Sequence, residues 1–315
     1  VGSSQIGGNI ATNAGGIRVI KYGLTSKYVV GLDVVTGSGT LLSLDDMLLK
    51  NATGPDFKNF FIGSEGTFAL TTSCRMQLIS KPNETSVFLV GLNKISSIEY
   101  IMNSIFQFDI EALEFFTRNS INQVKKEFEN IDISQLDNNY YLIIELENDE
   151  KFVEYLEKIY KNNVVQEIII SRNNAQKESI WQYRLLISES LTRYLPMKFD
   201  IAVPKKNVTK LIHKLEDFFN DNSSYNLILF GHLGDGNLHI NVLSKDRKYN
   251  KVFIENNIYN LVNDLDGTIS AEHGIGVNKL EKHMKYGNEE KIALISNLRK
   301  HFDPNAILNP GKLVK

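Results

Sequence analysis

The residues best suited to metal chemistry lie within residues 229–242, which read LFGHLGDGNLHINV. Two apolar runs flank an Asp-Gly pair at residues 235–236, and such a pair predicts a β-hairpin. If these two residues form the whole loop, His232 lies directly opposite His239, with Cβ atoms roughly 4.5–5.5 Å apart. Asn241 follows two residues later on the same face. Two imidazoles held in this way supply most of a divalent metal site, and two solvent-facing histidines on an ordinary hairpin are the alternative.

A second segment could complete this site. Residues 269–276, ISAEHGIG, place Glu272 beside His273 between glycines. Side chains of adjacent residues point apart in a strand, but the glycines permit a turn in which both face one site. Two histidines and one glutamate leave a coordination position open, which is typical of a catalytic rather than a structural metal site.

Two cationic side chains that could hold a carboxylate precede the hairpin. The pattern of residues 176–194 predicts a long helix, on which Arg184 and Ser188 share a face because they lie four residues apart. Residues 197–204 alternate as in a strand, with Lys198 opposite the apolar side chains. Arg184 could bind a carboxylate through its guanidinium fork and Lys198 as a point charge. In the alternative, Arg184 pairs with a neighbouring acid and Lys198 is solvated; the residues alone leave both open.

The N-terminal residues 1–16 are rich in glycine and in neutral polar side chains. Such glycines allow the backbone to approach a ligand closely and to present its N–H groups. The spacing matches neither a phosphate loop nor a Gly-x-Gly-x-x-Gly fingerprint, and a flexible turn is the alternative. Residues 60–67 form a second loop with glycines. Because the chain opens inside the first motif, we expect an N-terminal segment to be missing, and with it any targeting signal.

The composition excludes several classes of protein. The 315 residues are 42% hydrophobic and 23% charged with a formal net charge of −2, which is typical of a soluble globular protein of two domains. This charge gives no reason to expect a nucleic-acid partner. No apolar run approaches the roughly 18 residues that a membrane-spanning helix needs. The single cysteine, Cys74, excludes an internal disulfide and suits a reducing compartment.

The remaining segments alternate between strand and helix patterns. We expect a first domain over residues 1–82 and a second over residues 83–315. Strands are predicted at residues 27–36, 68–79, 87–92, 110–116, 140–147 and 164–170. Helices are predicted at residues 95–106, 149–161, 205–220, 251–265 and 289–301. The carboxylates of Glu111, Glu114 and Glu145 are interpreted as surface or edge groups rather than as a catalytic pair.

Taken together and in order, the motifs resemble one family. Three segments resemble the FAD-binding domain of the vanillyl-alcohol-oxidase type: residues 7–16, 21–23 and 63–67. Three more resemble the C-terminal domain of FAD-linked D-2-hydroxyacid dehydrogenases: residues 232–241, 270–276 and 302–311. Within that family the D-2-hydroxyglutarate dehydrogenases are the most similar, followed by the D-lactate dehydrogenases. The resemblance implies an α+β fold, in which the C-terminal half of the FAD-binding domain precedes a substrate (cap) domain with an antiparallel sheet and C-terminal helices.

The resemblance also implies roles for individual residues. The positions of the family's zinc ligands are occupied by His232, His239 and Glu272. Its substrate-contacting positions are occupied by Arg184, Ser188, Lys198, Asn241 and His273, and the subfamily often has threonine where Ser188 stands. The positions expected to contact FAD are Gly7, Gly8, Asn9, Thr12, Asn13, Gly15, Gly16, Tyr22, Glu65 and Gly66. We expect the family's N-terminal subdomain, which carries the loop around the FAD pyrophosphate, to lie outside this sequence.

The implied reaction is the FAD-dependent oxidation of a D-2-hydroxy acid to the 2-oxo acid, with 2-hydroxyglutarate ahead of lactate and malate as the substrate. In this hypothesis zinc polarises the substrate hydroxyl, His273 takes its proton, and the α-hydrogen leaves as hydride to the flavin. We also expect an electron acceptor, with an electron-transfer flavoprotein as the candidate, and a location in the cytoplasm or the mitochondrial matrix. A partial chain that only binds metal, and a metallohydrolase, are the competing interpretations.

Overall fold

The computed structural model describes residues 4–44, 47–48, 50–128 and 136–314. The described residues form two compact units. The first unit lies within Val1–Gly16, Gly23–Lys81 and Ile269–Lys315, and the second unit lies within Ile17–Tyr22 and Pro82–Thr268. The expected division into domains at residues 1–82 and 83–315 stays a prediction. The contacts add that residues 269–315 pack with the first unit, although they follow the second unit along the chain.

The structure contains the following elements. The strands are β1 (Val29–Thr36), β2 (Leu41–Ser43), β3 (Ala69–Met76), β4 (Thr85–Leu92), β5 (Ile110–Thr117), β6 (Tyr140–Glu147), β7 (Glu167–Ile170), β8 (Met197–Ala202), β9 (Tyr225–His232) and β10 (Asn237–Ser244). The helices are α1 (Ile6–Thr12), α2 (Val19–Tyr22), α3 (Lys58–Phe61), α4 (Ile95–Ser104), α5 (Arg118–Glu127), α6 (Glu150–Lys161), α7 (Asn174–Ser190), α8 (Val208–Asp221), α9 (Lys251–Asp264), α10 (Leu280–Tyr286) and α11 (Glu289–Phe302).

The first unit is built on a three-stranded antiparallel sheet with the strand order β2-β1-β3. Leu32 and Val34 of the central strand are fully buried in its core. Helix α11 packs Ile295, Leu298 and Phe302 against this core. The apolar face of the last helix therefore explains why the C-terminal residues join this unit.

The second unit contains seven strands in the order β7-β4-β6-β5-β9-β10-β8, and every neighbouring pair is antiparallel. Helices cover both faces of this sheet. On one face, Ile121 of α5 and Ile187 of α7 join Phe116 and Phe230 in one buried cluster. On the other face, the ring of Phe199 on β8 lies 5.4 Å from that of Tyr259 on α9. The α+β class expected from the sequence is confirmed.

Burial on both faces overturns one expectation. Glu111, Glu114 and Glu145 are 1%, 0% and 1% exposed, so their interpretation as surface or edge carboxylates was wrong. Their strands, β5 and β6, lie at the centre of the sheet, where neither face reaches solvent. A buried carboxylate needs charged or hydrogen-bonding partners, and these partners shape the candidate site.

Most predicted elements are confirmed within a few residues at their ends. The sequence did not predict five of the helices among the described residues, α1, α2, α3, α5 and α10, of which α5 is the longest. Its ten residues carry only two apolar side chains in the buried set, Ile121 and Val124. Two apolar positions are too few to establish a helical period. Among the described residues, no helix is both long and apolar enough to cross a bilayer.

The predicted β9–β10 hairpin forms, but its predicted register was wrong. His232 pairs with Asn237, and His239 pairs with Phe230, so the two histidines are not directly opposed. The loop contains four residues, 233–236, instead of two. Because the register differs by two residues, which is the side-chain period of a strand, both histidines still lie on the same face.

Local hydrogen bonds explain the longer loop. The backbone N–H groups of Asp235 and Gly236 both donate to the carbonyl oxygen of His232, at 3.3 and 3.2 Å. The Asp235 carboxylate then accepts the backbone N–H of Asn237 at 3.0 Å. Gly236 has a φ of +86°, and a Cβ there would lie 2.1 Å from the carbonyl oxygen of Val203. The loop therefore requires glycine at this position for two separate reasons.

Replacement of this glycine tests the loop. Gly236→Ala should lower the free energy of unfolding by about 1–3 kcal/mol or more, because it combines backbone strain with a steric clash. Gly39→Ala is the matched control, because Gly39 has a φ of +83° but no atom of the described part of the chain within 4 Å of the added Cβ. Chemical denaturation followed by circular dichroism measures both. A loss for Gly236→Ala no larger than that for Gly39→Ala would contradict the described loop.

Candidate functional site

Two imidazoles meet on one face of the second unit's sheet. The Nε2 atoms of His232 and His239 lie 3.4 Å apart, and the ring planes are inclined at 82°. Their side chains are 9% and 15% exposed. The diagonal register across the hairpin places them together, since His239 lies two residues beyond the partner of His232 on the same face.

A carboxylate faces the other ring nitrogen of each histidine. The Nδ1 atom of His232 lies 2.6 Å from Glu114 Oε1, across the pairing of β9 with β5. The Nδ1 atom of His239 lies 3.7 Å from Asp200 Oδ1, across the pairing of β10 with β8. Asn237 donates from Nδ2 to the same Asp200 oxygen at 2.9 Å. Both Nε2 atoms therefore point away from the carboxylates and toward each other.

Arg184 also approaches Glu114. Its side chain comes from α7, is buried, and places Nε 2.8 Å from Glu114 Oε2. The guanidinium carbon lies 4.5 Å from the centre of the Phe230 ring, a cation–π contact. The structure thus contains the pairing with a neighbouring acid that the sequence had left as one of two alternatives. Ser188 lies on the same helix and is exposed, and its role as a substrate contact stays a prediction.

The other two substrate-contacting candidates of the second unit lie opposite each other across strands. Asn241 on β10 is buried and pairs with Lys198 on β8, which is exposed. Lys198 borders a cleft of about 540 Å³ whose lining includes three further cations, Arg193, Arg247 and Lys251. This cleft therefore favours negatively charged groups.

The glycine-rich motif of the first unit forms more regular structure than the loop expected from the sequence. Residues 6–12 form α1, and Asn13 ends it in the left-handed region with a φ of 50°. Asn13 then accepts the backbone N–H of Ser26 through Oδ1 at 2.9 Å. Among the described residues, no atom lies within 4 Å of a Cβ added at Gly7, Gly8 or Gly16. Packing among the described residues does not require these glycines, which fits an approach by a ligand.

Glu65 has a clear structural partner. Its carboxylate accepts the backbone N–H groups of Ile275 and Gly276 at 2.6 and 2.8 Å. A Cβ at Gly274, where φ is +70°, would lie 2.6 Å from Glu65 Oε1. Glu65 therefore supports the backbone directly after the Glu272-His273 pair, and its expected contact with FAD stays a prediction.

Glu272 and His273 belong to the first unit, whereas His232 and His239 belong to the second. The Glu272 side chain is 21% exposed and that of His273 is 70% exposed. The Nε2 atom of His273 lies 3.8 Å from Glu272 Oε2, which is too far for a hydrogen bond. A metal-ligand role for Glu272 and a catalytic role for His273 stay predictions.

Glu145 lies on β6, on the same face of the sheet as Glu114 and under the same helix. Burial alone would raise the pKa of its carboxyl, but hydrogen bonds from Lys177 and Thr85 and the charge of Arg18 outweigh burial and hold this pKa below its usual value. The indole N–H of Trp181 also donates to Glu145 at 3.1 Å. This carboxylate has no histidine among these partners, which separates it from Glu114.

Sequence reasoning missed two residues of the site, Glu114 and Asp200. Glu111 and Glu114 lie within the otherwise apolar run IEALEFF of residues 110–116. Acidic side chains inside an apolar run typical of a central strand indicate buried carboxylates, which need charged or hydrogen-bonding partners. Asp200 carried no such signal, because it fits the polar positions of an alternating strand.

Comparisons with known proteins agree with this architecture. Residues 81–313 match the model of the C-terminal domain of FAD linked oxidases, and residues 1–45 match that of an FAD binding domain. The chain belongs to the FAD-linked oxidase family. The resemblance stated from the sequence motifs is confirmed, and the family consists of FAD-linked oxidoreductases.

Two relatives and one solved structure illustrate the match. A D-2-hydroxyglutarate dehydrogenase from Xanthomonas citri pv. viticola is 36% identical over 99% of this chain and 69% of its own length. The mitochondrial D-2-hydroxyglutarate dehydrogenase of Arabidopsis thaliana is 32% identical over 99% of this chain and 58% of its own. A structure of alkyldihydroxyacetonephosphate synthase has a TM-score of 0.63 at 18% identity, covering 96% of this chain and 57% of that one. This last likeness concerns the fold alone.

The support that Glu65 gives to residues 274–276 can be tested. Glu65→Gln replaces an accepting oxygen with an amide donor, so it should lower the free energy of unfolding by about 1–3 kcal/mol. Hydrogen exchange at the amides of Ile275 and Gly276 should accelerate about tenfold or more. Glu281→Gln, at an exposed position of α10, is the control. Unchanged protection of both amides in Glu65→Gln would contradict this role.

Proposed function

We propose that this protein oxidises a D-2-hydroxy acid to the 2-oxo acid in an FAD-dependent reaction, with D-2-hydroxyglutarate ahead of lactate and malate. The observation that carries the proposal is the convergence of His232 and His239 in a member of the FAD-linked oxidase family. The relatives described above are named D-2-hydroxyglutarate dehydrogenases, which supports the choice of substrate.

The spacing of the two nitrogens fits zinc. Zn–N distances of roughly 2.0–2.1 Å at a tetrahedral angle separate two nitrogen ligands by roughly 3.3–3.4 Å, and the Nε2 atoms lie 3.4 Å apart. His232 and His239 would hold the ion, with Glu272 as a third ligand proposed from its sequence motif. A metal bound here would act as a Lewis acid that polarises the substrate hydroxyl.

The glycine-rich segment would hold the cofactor. Open space at Gly7, Gly8 and Gly16 supports this assignment, and the full set comprises Gly7, Gly8, Asn9, Thr12, Asn13, Gly15, Gly16, Tyr22, Glu65 and Gly66. FAD, when bound, supplies the redox chemistry by accepting a hydride. The side chains of this protein would position the substrate and accept the proton of its hydroxyl group.

His273 would act as the general base for the substrate hydroxyl. A neutral imidazole can accept a proton near neutral pH, and the exposure of this side chain lets it pass the proton on to solvent. Its Nε2 atom would accept the proton of the substrate hydroxyl. Lys198 and Asn241, with Arg184 and Ser188, would bind the carboxylates of the substrate. Several donors of this kind suit a dicarboxylate better than lactate.

A substrate panel tests the reaction. The protein with FAD bound should lose its flavin absorbance with D-2-hydroxyglutarate, more slowly with D-lactate or D-malate, and not with the L-enantiomers. The same sample should contain zinc by elemental analysis. A flavin that no D-2-hydroxy acid reduces would overturn the proposal, and hydrolysis without flavin would favour the metallohydrolase interpretation.

The role of His273 is tested by His273→Asn, which should lower turnover by about 10²–10⁴-fold because it removes a general base. Zinc content should stay at the wild-type level. His213→Asn is a suitable control, since His213 is an exposed histidine of α8 that pairs with Asp217. Equal losses of zinc and turnover would make His273 a metal ligand instead.

A further inference from the structure

The buried carboxylate of Glu114 connects two residues to which the sequence assigns separate roles. One oxygen lies 2.6 Å from Nδ1 of His232, and the other lies 2.8 Å from Nε of Arg184. The Glu114 side chain is fully buried. A proposed metal ligand and a proposed substrate-binding cation therefore share one anionic partner.

We propose that Glu114 is a positioning residue for this site: it fixes His232 in the tautomer with the proton on Nδ1 and orients the guanidinium of Arg184. The inference rests on the proposed function, because it concerns the same metal and substrate site. It adds a residue that neither the sequence motifs nor the metal-ligand set includes.

The tautomer follows from hydrogen-bonding capacity. An ionised carboxylate only accepts hydrogen bonds, so the nitrogen that faces it must donate. A neutral imidazole has one N–H group, so a proton on Nδ1 leaves a lone pair on Nε2. In His232 that lone pair points toward Nε2 of His239, 3.4 Å away. This is the form of histidine that binds a metal through Nε2.

The guanidinium of Arg184 compensates the negative charge of the buried Glu114 carboxylate. A buried carboxylate is destabilising unless a cation and hydrogen-bond donors compensate it. Arg184 supplies this cation, and the ring of Phe230 beneath the guanidinium limits its orientation. Loss of Glu114 would therefore leave Arg184 buried without its carboxylate and free His232 to change tautomer.

Glu145 shows that burial alone does not explain the arrangement. It lies on the neighbouring strand, on the same face and under α7, and it is 1% exposed. Its partners are Arg18, Lys177, Thr85 and Trp181. A merely structural role for Glu114 predicts that neutralising either carboxylate has similar effects. A positioning role predicts that only Glu114 affects the histidine and the metal.

The first experiment needs no metal. In the whole chain with ¹⁵N-labelled histidine, NMR of the neutral ring of His232 should place its proton on Nδ1. In Glu114→Gln the amide oxygen should face the Arg184 guanidinium, which only donates. The amide N–H group should then donate to Nδ1 of His232, so the proton of the ring should move to Nε2. In Glu145→Gln the tautomer should stay as in the wild type. A wild-type His232 protonated at Nε2 would overturn the proposal, whether or not the variant folds.

The second experiment measures Zn²⁺ affinity by competition with a chelating dye, with circular dichroism to confirm folding. Glu114→Gln should bind Zn²⁺ about 10–100-fold more weakly than the wild type, whereas Glu145→Gln should differ by less than about twofold. Equal effects of the two variants would overturn the positioning role. His232→Ala and His239→Ala test the metal site itself: if both bind Zn²⁺ as the wild type does, the proposed metal site is wrong, and the tautomer measurement still decides the role of Glu114.

Discussion

The second unit depends on the need to neutralise a carboxylate at the centre of its sheet. Glu114 is fully buried on β5, where helices cover both faces and no solvent can stabilise the charge. Its two oxygens approach Arg184 of α7 and His232 of β9. One ionic group thus ties together a helix and two strands that lie far apart in the sequence. Such a group favours one arrangement of these elements over alternatives that leave the charge without a partner.

The same helix serves a second buried carboxylate. Lys177 and Trp181 of α7 contact Glu145, and Arg184 follows on the same side of the helix to contact Glu114. Lys177, Trp181 and Arg184 occupy positions i, i+4 and i+7, which lie along one helical face. A single helix can therefore contact carboxylates on two neighbouring strands. The packing of α7 on the sheet therefore also neutralises the two acids. The same packing fixes the strands that carry the imidazole pair.

In the first unit, a carboxylate and an amide side chain form hydrogen bonds with the backbone around glycine-rich segments. Glu65 accepts two backbone N–H groups from residues 275–276, and Asn309 donates from Nδ2 to the Glu65 carbonyl oxygen at 2.6 Å. These contacts join a segment in the N-terminal part of the chain to two C-terminal segments. Glu65 itself has a φ of 51°, an uncommon conformation for a non-glycine residue that its several hydrogen bonds hold in place.

The sequence by itself determined the family, the α+β class, most of the strands and helices, and the face shared by His232 and His239. These features depend on local patterns, and a two-residue error in register leaves the face unchanged. Only the tertiary structure decided that Glu114 lies inside the sheet, that Arg184 is its partner, and that residues 269–315 pack with the first unit. Each of these depends on which distant segments become neighbours, and no local pattern specifies the distant partner of a buried charge.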